Sequence, residues 1–293
     1  MIDLGEVVTA MVTPFDKDYK INWKTTDKLI EHLLESGSDS LLLSGTTGES
    51  PTLTDEEKID LFEFGRKKIK GNAKLIAGTG SNDTFHTIEL SMKAEAAGAD
   101  ALLIVTPYYN KPTQSGLLRH FNAISEAVNI PIIVYNVPSR TCCNITADTC
   151  RKIAALKNII GIKEASGDFK QISEILRDCP PDFKVYSGND CDTFSIVALG
   201  GAGVISVASH LIGKEIKKII GFIKDGKIKE AAELHKKYLE IFYGIFITTS
   251  PIPIKKALYL KNLSEKFVRP PLYDMEPAEE DAFSKILLKY NLI

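Results

Sequence analysis

Short apolar segments alternate with longer amphipathic segments along the first 224 residues. The apolar segments are nearly continuous in Val, Ile and Leu, which is typical of parallel strands covered on both faces. The amphipathic segments predict helices, and one of them begins with a capping box at Thr54. The predicted strands are 7–15, 40–44, 74–78, 101–105, 131–137, 159–162, 184–187 and 204–207. The predicted helices are 23–36, 54–70, 83–97, 114–128, 146–156, 169–178, 192–199 and 211–224.

Eight strand-helix units in succession predict a (β/α)8 barrel, the TIM barrel, over residues 1–224. A weak internal repeat supports this prediction, because Gly37 and Gly98 each close a helix just before a strand, and 200–204 is a looser copy. Glycine at that position supplies the left-handed residue that ends a helix. A doubly wound sheet is the rival fold, but no Gly-x-Gly-x-x-Gly motif follows the first predicted strand.

The pattern changes after residue 224, where three further helices are predicted without strands between them, at 228–246, 253–260 and 277–289. No Ser/Gly-rich linker precedes them. We therefore expect residues 225–293 to form a C-terminal helical subdomain that needs the barrel in order to fold.

Composition narrows the classes of function. A net charge of −2 in 293 residues gives no reason to expect nucleic acid or an anionic membrane as a partner. The N-terminus has neither the basic nor the apolar region of a signal peptide, and no apolar run is long enough to span a membrane. The five cysteines include the adjacent Cys142 and Cys143 but no Cys-x-x-Cys pair, which favours reduced thiols in the cytoplasm.

One lysine stands out by its position. Lys163 directly follows the apolar run 159–162, at the C-terminal end of the sixth predicted strand, where barrels of this kind carry their chemistry. Burial opposes the charged ammonium and lowers its pKa, and the neutral amine is the nucleophile that forms imines. The competing interpretation is a lysine that reaches solvent or pairs with Glu164, although alternation along a strand favours Glu164 on the opposite face. Lys74 and Lys184 begin their strands, so we expect them at the opposite, solvated end.

Neighbouring strand ends add polar groups. Tyr135 ends the fifth strand beside Lys163, and a phenol next to an amine is a suitable proton shuttle. Thr46 and Thr47 lie in the glycine-rich turn after the second strand, where hydroxyls and backbone N–H groups can hold a carboxylate. Arg140 follows the fifth strand and could clamp a second carboxylate. Each group also has a purely structural interpretation. The threonines could cap an ordinary turn, Tyr135 could hydrogen-bond to backbone at the barrel rim, and Arg140 could form a surface salt bridge.

Other kinds of site are not indicated. The five histidines are scattered without metal-binding spacing, so we expect no metal. The glycine run 200–203 precedes the eighth strand and therefore is not the phosphate loop of some barrels. A lysine nucleophile with neither a metal site nor a phosphate-binding loop beside it predicts a carbonyl substrate, which would form an imine with the lysine.

Four segments carry a family resemblance: Gly-Thr-Thr-Gly-Glu-Ser at 45–50, Pro-Tyr-Tyr-Asn-Lys-Pro at 107–112, Tyr-Asn-Val-Pro-Ser-Arg-Thr at 135–141 and Gly-Ile-Lys-Glu-Ala at 161–165. In this order they resemble the dihydrodipicolinate synthase family of pyruvate-dependent class I aldolases, and the likeness covers nearly the whole chain. The resemblance implies a cofactor-free condensation of pyruvate with L-aspartate 4-semialdehyde in lysine and diaminopimelate biosynthesis.

The resemblance also implies catalytic roles. Lys163 forms the Schiff base with pyruvate, and Tyr135 relays protons together with Thr46 and Tyr109. Tyr109 crosses a tight dimer interface to serve the neighbouring subunit, within a homotetramer built as a dimer of dimers.

Three further residues are implied to bind substrate. Thr47 holds the pyruvate carboxylate through its hydroxyl and backbone, the Ile205 backbone carbonyl forms the far wall, and Arg140 holds the carboxylate of the second substrate. N-acetylneuraminate lyase and the 2-keto-3-deoxy sugar acid aldolases share the lysine and the strand-five tyrosine, but Arg140, the double threonine and the paired tyrosines favour the synthase. A non-catalytic sensor barrel for keto acids is disfavoured, because binding alone would not require lysine, tyrosine and threonine on one rim.

Two departures from the family pattern matter. Cys142 stands where many members have glycine after Arg-Thr, which is costly if the position needs a positive φ. The second concerns L-lysine, which feedback-inhibited members bind in a cleft at the tight dimer interface. Here His86 replaces the carboxylate that would pair with the ligand's ammonium, and Lys58 adds a like charge, so weak or absent feedback is predicted. The matching cleft positions are Ser50, Pro51, Asp55, Lys58, Asn82, His86 and Tyr108.

Overall fold

A closed barrel of parallel strands organises the computed structural model, which describes residues 2–71 and 73–293. Each strand pairs with its sequence neighbours, and β8 closes the barrel against β1. This confirms the predicted (β/α)8 topology. The strands are β1 Val7–Ala10, β2 Ser40–Leu43, β3 Lys74–Gly78, β4 Ala101–Val105, β5 Ile132–Asn136, β6 Ile159–Glu164, β7 Lys184–Ser187 and β8 Gly203–Ser206.

Helices follow the strands and surround the barrel. Thr54 forms the predicted capping box with Glu57 at the start of one helix, and Asp168 caps another by accepting hydrogen bonds from two backbone N–H groups. The helices over the barrel are α1 Trp23–Glu35, α2 Asp55–Ile69, α3 Thr84–Ala96, α4 Gln114–Ala127, α5 Pro138–Thr141, α6 Ala147–Ile153, α7 Phe169–Asp178, α8 Thr193–Ala198 and α9 Ser209–Lys224.

The two faces of each strand belong to different cores. Val8 and Ile205 belong to a cluster made almost entirely of strand residues, which fills the barrel interior. Val7 and Val204 pack instead with apolar side chains from the helices, in the layer between barrel and helices. Both faces are buried, which explains why the strands are continuously apolar in sequence.

Many element boundaries differ from the predicted ones by one to three residues, and two strand ends and one additional helix need a physical explanation. β1 stops at Ala10, because Pro14 cannot donate to a ladder and Val12 N donates to His210 Nε2 at 3.2 Å instead of to a strand. β6 continues to Glu164, so Lys163 lies inside the strand and not just past it. The short helix α5, begun by Pro138, is not predicted by apolar periodicity, because one turn is too short to show a period.

A C-terminal extension, residues 225–293, covers one side of the barrel. Its helices are α10 Ile228–Gly244, α11 Ile252–Leu260 and α12 Pro277–Lys289, and both α10 and α11 pack against α9. Phe242, Leu258 and Phe283 are fully or almost fully buried in the same core as the barrel helices. Across the described residues, no helix has the length and apolar character needed to cross a membrane.

Candidate active site

Lys163 is the buried amine at the centre of the candidate site. Only 5% of the residue is exposed. Burial lowers the pKa of Lys163 to about 8, while the charge of Asp190 raises it and that of Arg140 lowers it further. The neutral, nucleophilic amine is therefore far more populated near neutral pH than in an ordinary lysine, although the ammonium form still predominates at pH 7.

Tyr135 is the immediate neighbour of this amine. β5 and β6 place Tyr135 directly opposite Lys163 in the ladder, and Lys163 Nζ lies 4.3 Å from the centroid of the phenol ring. Burial raises the pKa of Tyr135, although the Arg140 charge and the Thr46 side chain oppose the shift. The phenol is therefore protonated near neutral pH, as a proton donor beside an amine should be.

The turn after β2 presents the two threonines. It is closed by Glu49 N donating to Thr46 O at 3.1 Å and Ser50 N donating to Gly45 O at 3.2 Å. Thr46 is partly exposed and faces the cavity, whereas Thr47 is buried in the same turn. Both predicted threonines therefore lie in one short, hydrogen-bonded loop.

Arg140 stands on the short helix α5 and is exposed, while its side chain contributes to the cavity wall. In the part of the chain that the structure describes, no carboxylate lies within ion-pair distance of its guanidinium. The surface salt bridge considered as an alternative for Arg140 is thus not formed, and the guanidinium is free to accept an anionic group.

A cavity of about 620 Å³ opens above these residues. Thr46, Tyr135 and Arg140 line it. Lys163 is not one of its lining residues, but its amine lies 4.3 Å from the centroid of the ring of Tyr135, which is. The cavity extends outward between α2 and α3. There it is lined by the predicted lysine-cleft positions Ser50, Pro51, Asp55, Lys58, Asn82, His86 and Tyr108.

Tyr109 does not join the others within this subunit. It is 88% exposed, with a left-handed backbone at φ 73°, and the neighbouring Tyr108 lines the cavity in its place. Ile205 lies in the barrel interior on β8 and is 1% exposed.

Glu164 points away from Lys163, as strand alternation predicts. Its carboxylate accepts a hydrogen bond from Ser166 N at 2.7 Å and from Asn136 Nδ2 at 3.0 Å, on the outer face of the barrel. It therefore does not form the salt bridge that was the competing explanation for Lys163.

Two buried acids near the site were not predicted. Asp190, directly after β7, accepts hydrogen bonds from Ser206 Oγ, from Val207 N at 3.0 Å and from Ala208 N at 3.1 Å. Burial raises its pKa. Its place at a strand's C-terminal end is the signal that could have identified it. The other acid is Glu49, in the turn after β2.

Comparison with known proteins gives one family over the full length. The model of the dihydrodipicolinate synthetase family matches residues 3–290. The 4-hydroxy-tetrahydrodipicolinate synthase of Heliobacterium modesticaldum is 47% identical, over 99% of this chain and 97% of that protein. The crystal structure of dihydrodipicolinate synthase from Aquifex aeolicus matches with a TM-score of 0.96 and 42% identity, over 98% of both chains. That of the chloride-inhibited enzyme from Acinetobacter baumannii, complexed with pyruvate, matches with a TM-score of 0.97 and 36% identity, over 99% of this chain and 100% of that chain.

Proposed function

We infer, because this chain belongs to the dihydrodipicolinate synthetase family, that it is a 4-hydroxy-tetrahydrodipicolinate synthase, a lyase of lysine and diaminopimelate biosynthesis. Full-length relatives of 44–47% identity carry this activity in their names. The structural observation that best supports the proposal is that the buried Lys163 amine lies next to the protonated Tyr135 phenol. That pair supplies the nucleophile and the acid that imine formation requires.

In the proposed first half-reaction, the neutral Lys163 amine attacks the pyruvate carbonyl carbon. The resulting carbinolamine loses its hydroxyl as water after protonation by Tyr135, which leaves an imine. Loss of a methyl proton then gives the enamine. Thr46, which lines the same cavity as Tyr135, is the next member of the proton relay.

In the second half-reaction, the enamine carbon attacks the aldehyde carbon of L-aspartate 4-semialdehyde. The amino group of that substrate then displaces Lys163 by transimination, closing the ring and freeing the enzyme amine. We assign the pyruvate carboxylate to Thr47, the far wall to the Ile205 carbonyl, and the second carboxylate to Arg140. The absence of an ion pair at Arg140, within the described residues, supports this last assignment, because a paired guanidinium would be less available.

We propose that the working enzyme is a homotetramer built as a dimer of dimers, with Tyr109 serving the partner's site. The exposure of Tyr109 supports this arrangement, because a relay phenol in solvent has no function within its own subunit.

We further propose that the chain divides into a barrel, residues 1–224, and a helical subdomain, residues 225–293. The five free cysteines fit the cytoplasm, where thiols stay reduced.

The test is covalent trapping. Incubation with pyruvate followed by borohydride reduction should label Lys163 alone, and the Lys163→Ala variant should retain its fold but take up no label. Addition of L-aspartate 4-semialdehyde to the unreduced adduct should then discharge it, whereas N-acetylmannosamine should not. A label on another lysine would overturn the mechanism, and discharge by N-acetylmannosamine alone would identify the chain as an N-acetylneuraminate lyase.

A further inference from the structure

A buried ion pair links the C-terminal extension to the turn after β2. Lys255, on α11, is 0% exposed, and its Nζ lies 2.5 Å from Glu49 Oε1. Lys255 Nζ also donates to Phe267 O at 2.8 Å and lies 4.2 Å from the centroid of the Phe15 ring. The cation thus comes from the extension and the anion from the barrel.

The other carboxylate oxygen of Glu49 is held by the extension as well. Arg269 N donates to Glu49 Oε2 at 2.9 Å. The Arg269 guanidinium contacts the same side of the barrel, donating to Thr52 O at 2.6 Å and to Glu57 Oε1 at 2.5 Å. Both oxygens of one buried glutamate are therefore fixed by residues more than 200 positions away in the chain.

Glu49 carries two costs that packing alone does not require. Glu49 is only 2% exposed, so its carboxylate charge loses the hydration it would have in water. Its backbone is also left-handed, at φ 58° and ψ 37°, a conformation that is strained for a residue other than glycine. Buried ion pairs contribute little net stability compared with apolar residues of the same size. A function in holding this turn explains why such a residue stands here.

The turn connects Glu49 directly to the proposed proton relay. Glu49 N donates to Thr46 O at 3.1 Å, and Thr13 Oγ1 donates to Gly48 O at 2.7 Å, so the turn has little freedom between these points. The Thr46 side chain lines the same cavity as Tyr135 and acts on its phenol, whose pKa it lowers. A shift of Glu49 would move the Thr46 side chain relative to that phenol.

We propose that Glu49 is a positioning residue for the reaction: its carboxylate, clamped by Lys255 and Arg269 of the C-terminal extension, fixes the turn that holds Thr46 against Tyr135. This inference rests on the proposed function, in which Thr46 and Tyr135 form the relay. It gives the extension a part in catalysis, because the extension supplies both groups that hold the carboxylate.

The variant that tests it is Glu49→Gln, which keeps the shape of the side chain and removes its charge. We expect kcat to fall roughly 10- to 100-fold, since a displacement of about 1 Å at a reacting group has effects of that size. Pyruvate and borohydride should still label Lys163. The matched control is Glu280→Gln, which removes a carboxylate of the extension that pairs with Lys256, the neighbour of Lys255 on α11, at 2.5 Å; its kcat should stay within about twofold of the original enzyme.

A double-mutant cycle separates positioning from general damage. Because Glu49 acts through Thr46, adding Glu49→Gln to Thr46→Val should lower kcat no further. If Glu49→Gln alone does not fold, Glu49→Gln with Lys255→Met leaves no uncompensated buried charge and takes its place in the cycle.

Three outcomes decide the matter. A kcat for Glu49→Gln within about twofold of the original enzyme, or additive kcat losses in the cycle, would overturn the positioning role. Failure of the unmodified enzyme to take up label at Lys163 would instead overturn the proposed function. A lowered kcat with non-additivity and intact labelling supports the proposal.

Discussion

Lys163 and Lys255 are both buried and have similarly lowered pKa values, yet only one of the two is placed to react. Burial lowers the pKa of both Lys163 and Lys255 to about 8. The Lys255 ammonium is held by the Glu49 carboxylate at 2.5 Å and by a backbone carbonyl. Lys163 Nζ instead lies over a phenol ring beside a cavity. The neighbours of each amine, and not its pKa alone, distinguish the nucleophile from the structural cation.

The pH dependence of adduct formation should report the Lys163 pKa. Its pKa lies below that of an ordinary lysine because burial opposes the charged form, so the neutral amine accumulates as pH rises. The rate of pyruvate adduct formation, measured by borohydride quenching, should therefore rise with pH and level off above about 8. Arg140→Gln removes a cation that lowers this pKa, so its profile should move to higher pH, whereas Arg119→Gln, on the exposed face of α4, should not change it. A profile unmoved by Arg140→Gln would contradict this electrostatic account.

Tyr135→Phe tests the proton donor while keeping the ring against the amine. We expect kcat to fall by about 10²- to 10⁴-fold, the usual contribution of a positioned acid-base group. Labelling of Lys163 should become slower but should still reach completion, because the nucleophile remains. The comparison needs steady-state rates and a time course of reduction by borohydride. Full activity in the variant would exclude the phenol as the donor.

At the scale of elements, the strands and helices were largely predictable from the sequence because their periodicity is local. Gly37 and Gly98 have φ of 100° and 89°, as the predicted helix ends require. The contacts of Glu49 and Asp190 were not predictable, because each partner is brought close only by the closed barrel and the packed extension. The local pattern of apolar and polar residues predicts which face of an element a side chain occupies. It does not predict which side chain from a distant part of the sequence will contact it.

The end of α5 offers a prediction about stability. Cys142 caps this helix with φ 55°, its N–H donating to Pro138 O at 2.9 Å, so the positive φ considered from the sequence is present. A non-glycine residue in this region costs about 1–2 kcal/mol. Glycine removes that strain but adds unfolded-state freedom, so Cys142→Gly should stabilise the protein by about 0.5–1 kcal/mol. Cys142→Ala, which keeps a Cβ, should give no such gain in thermal or urea unfolding; equal effects of the two variants would show that the thiol, and not the backbone, sets the stability.

At the scale of the whole molecule, the outer part of the cavity bears on feedback by L-lysine. Asp55 Oδ2 lies 2.7 Å from His86 Nε2, and Asp55 Oδ1 lies 3.3 Å from Lys58 Nζ. Although burial raises the pKa of Asp55, these two partners hold it below its usual range. The carboxylate that could receive a ligand ammonium is therefore already occupied, and a cation stands beside it.

We accordingly expect sub-millimolar L-lysine to leave initial rates unchanged and to give no heat of binding in calorimetry. The combined variant Lys58→His with His86→Glu removes the like charge and supplies a free carboxylate, so it should gain lysine sensitivity. His32→Gln, remote from the cleft, is the control and should stay insensitive. Inhibition of the unmodified enzyme by sub-millimolar L-lysine would refute the prediction.

The last prediction concerns which subunit supplies Tyr109 to each site. A phenol that is 88% exposed in its own subunit can act in the relay only if a second copy brings a site to it. Tyr109→Phe and Lys163→Ala should each be nearly inactive as pure proteins. In a mixed dimer, the subunit that keeps Lys163 receives an intact Tyr109 from the partner, so one of the two sites is complete.

Mixing the two inactive proteins under conditions of subunit exchange should therefore restore activity, at about a quarter of all sites for random pairing. Sedimentation at the same protein concentrations should show that the restored fraction follows the amount of dimer and tetramer and vanishes on dilution to monomer. The double variant carrying both changes on one chain, mixed with the unmodified protein, is the matched control, because its mixed dimers contain no complete site. If Tyr109 acted within its own subunit, the two inactive proteins would restore nothing on mixing, and the shared site would have to be abandoned.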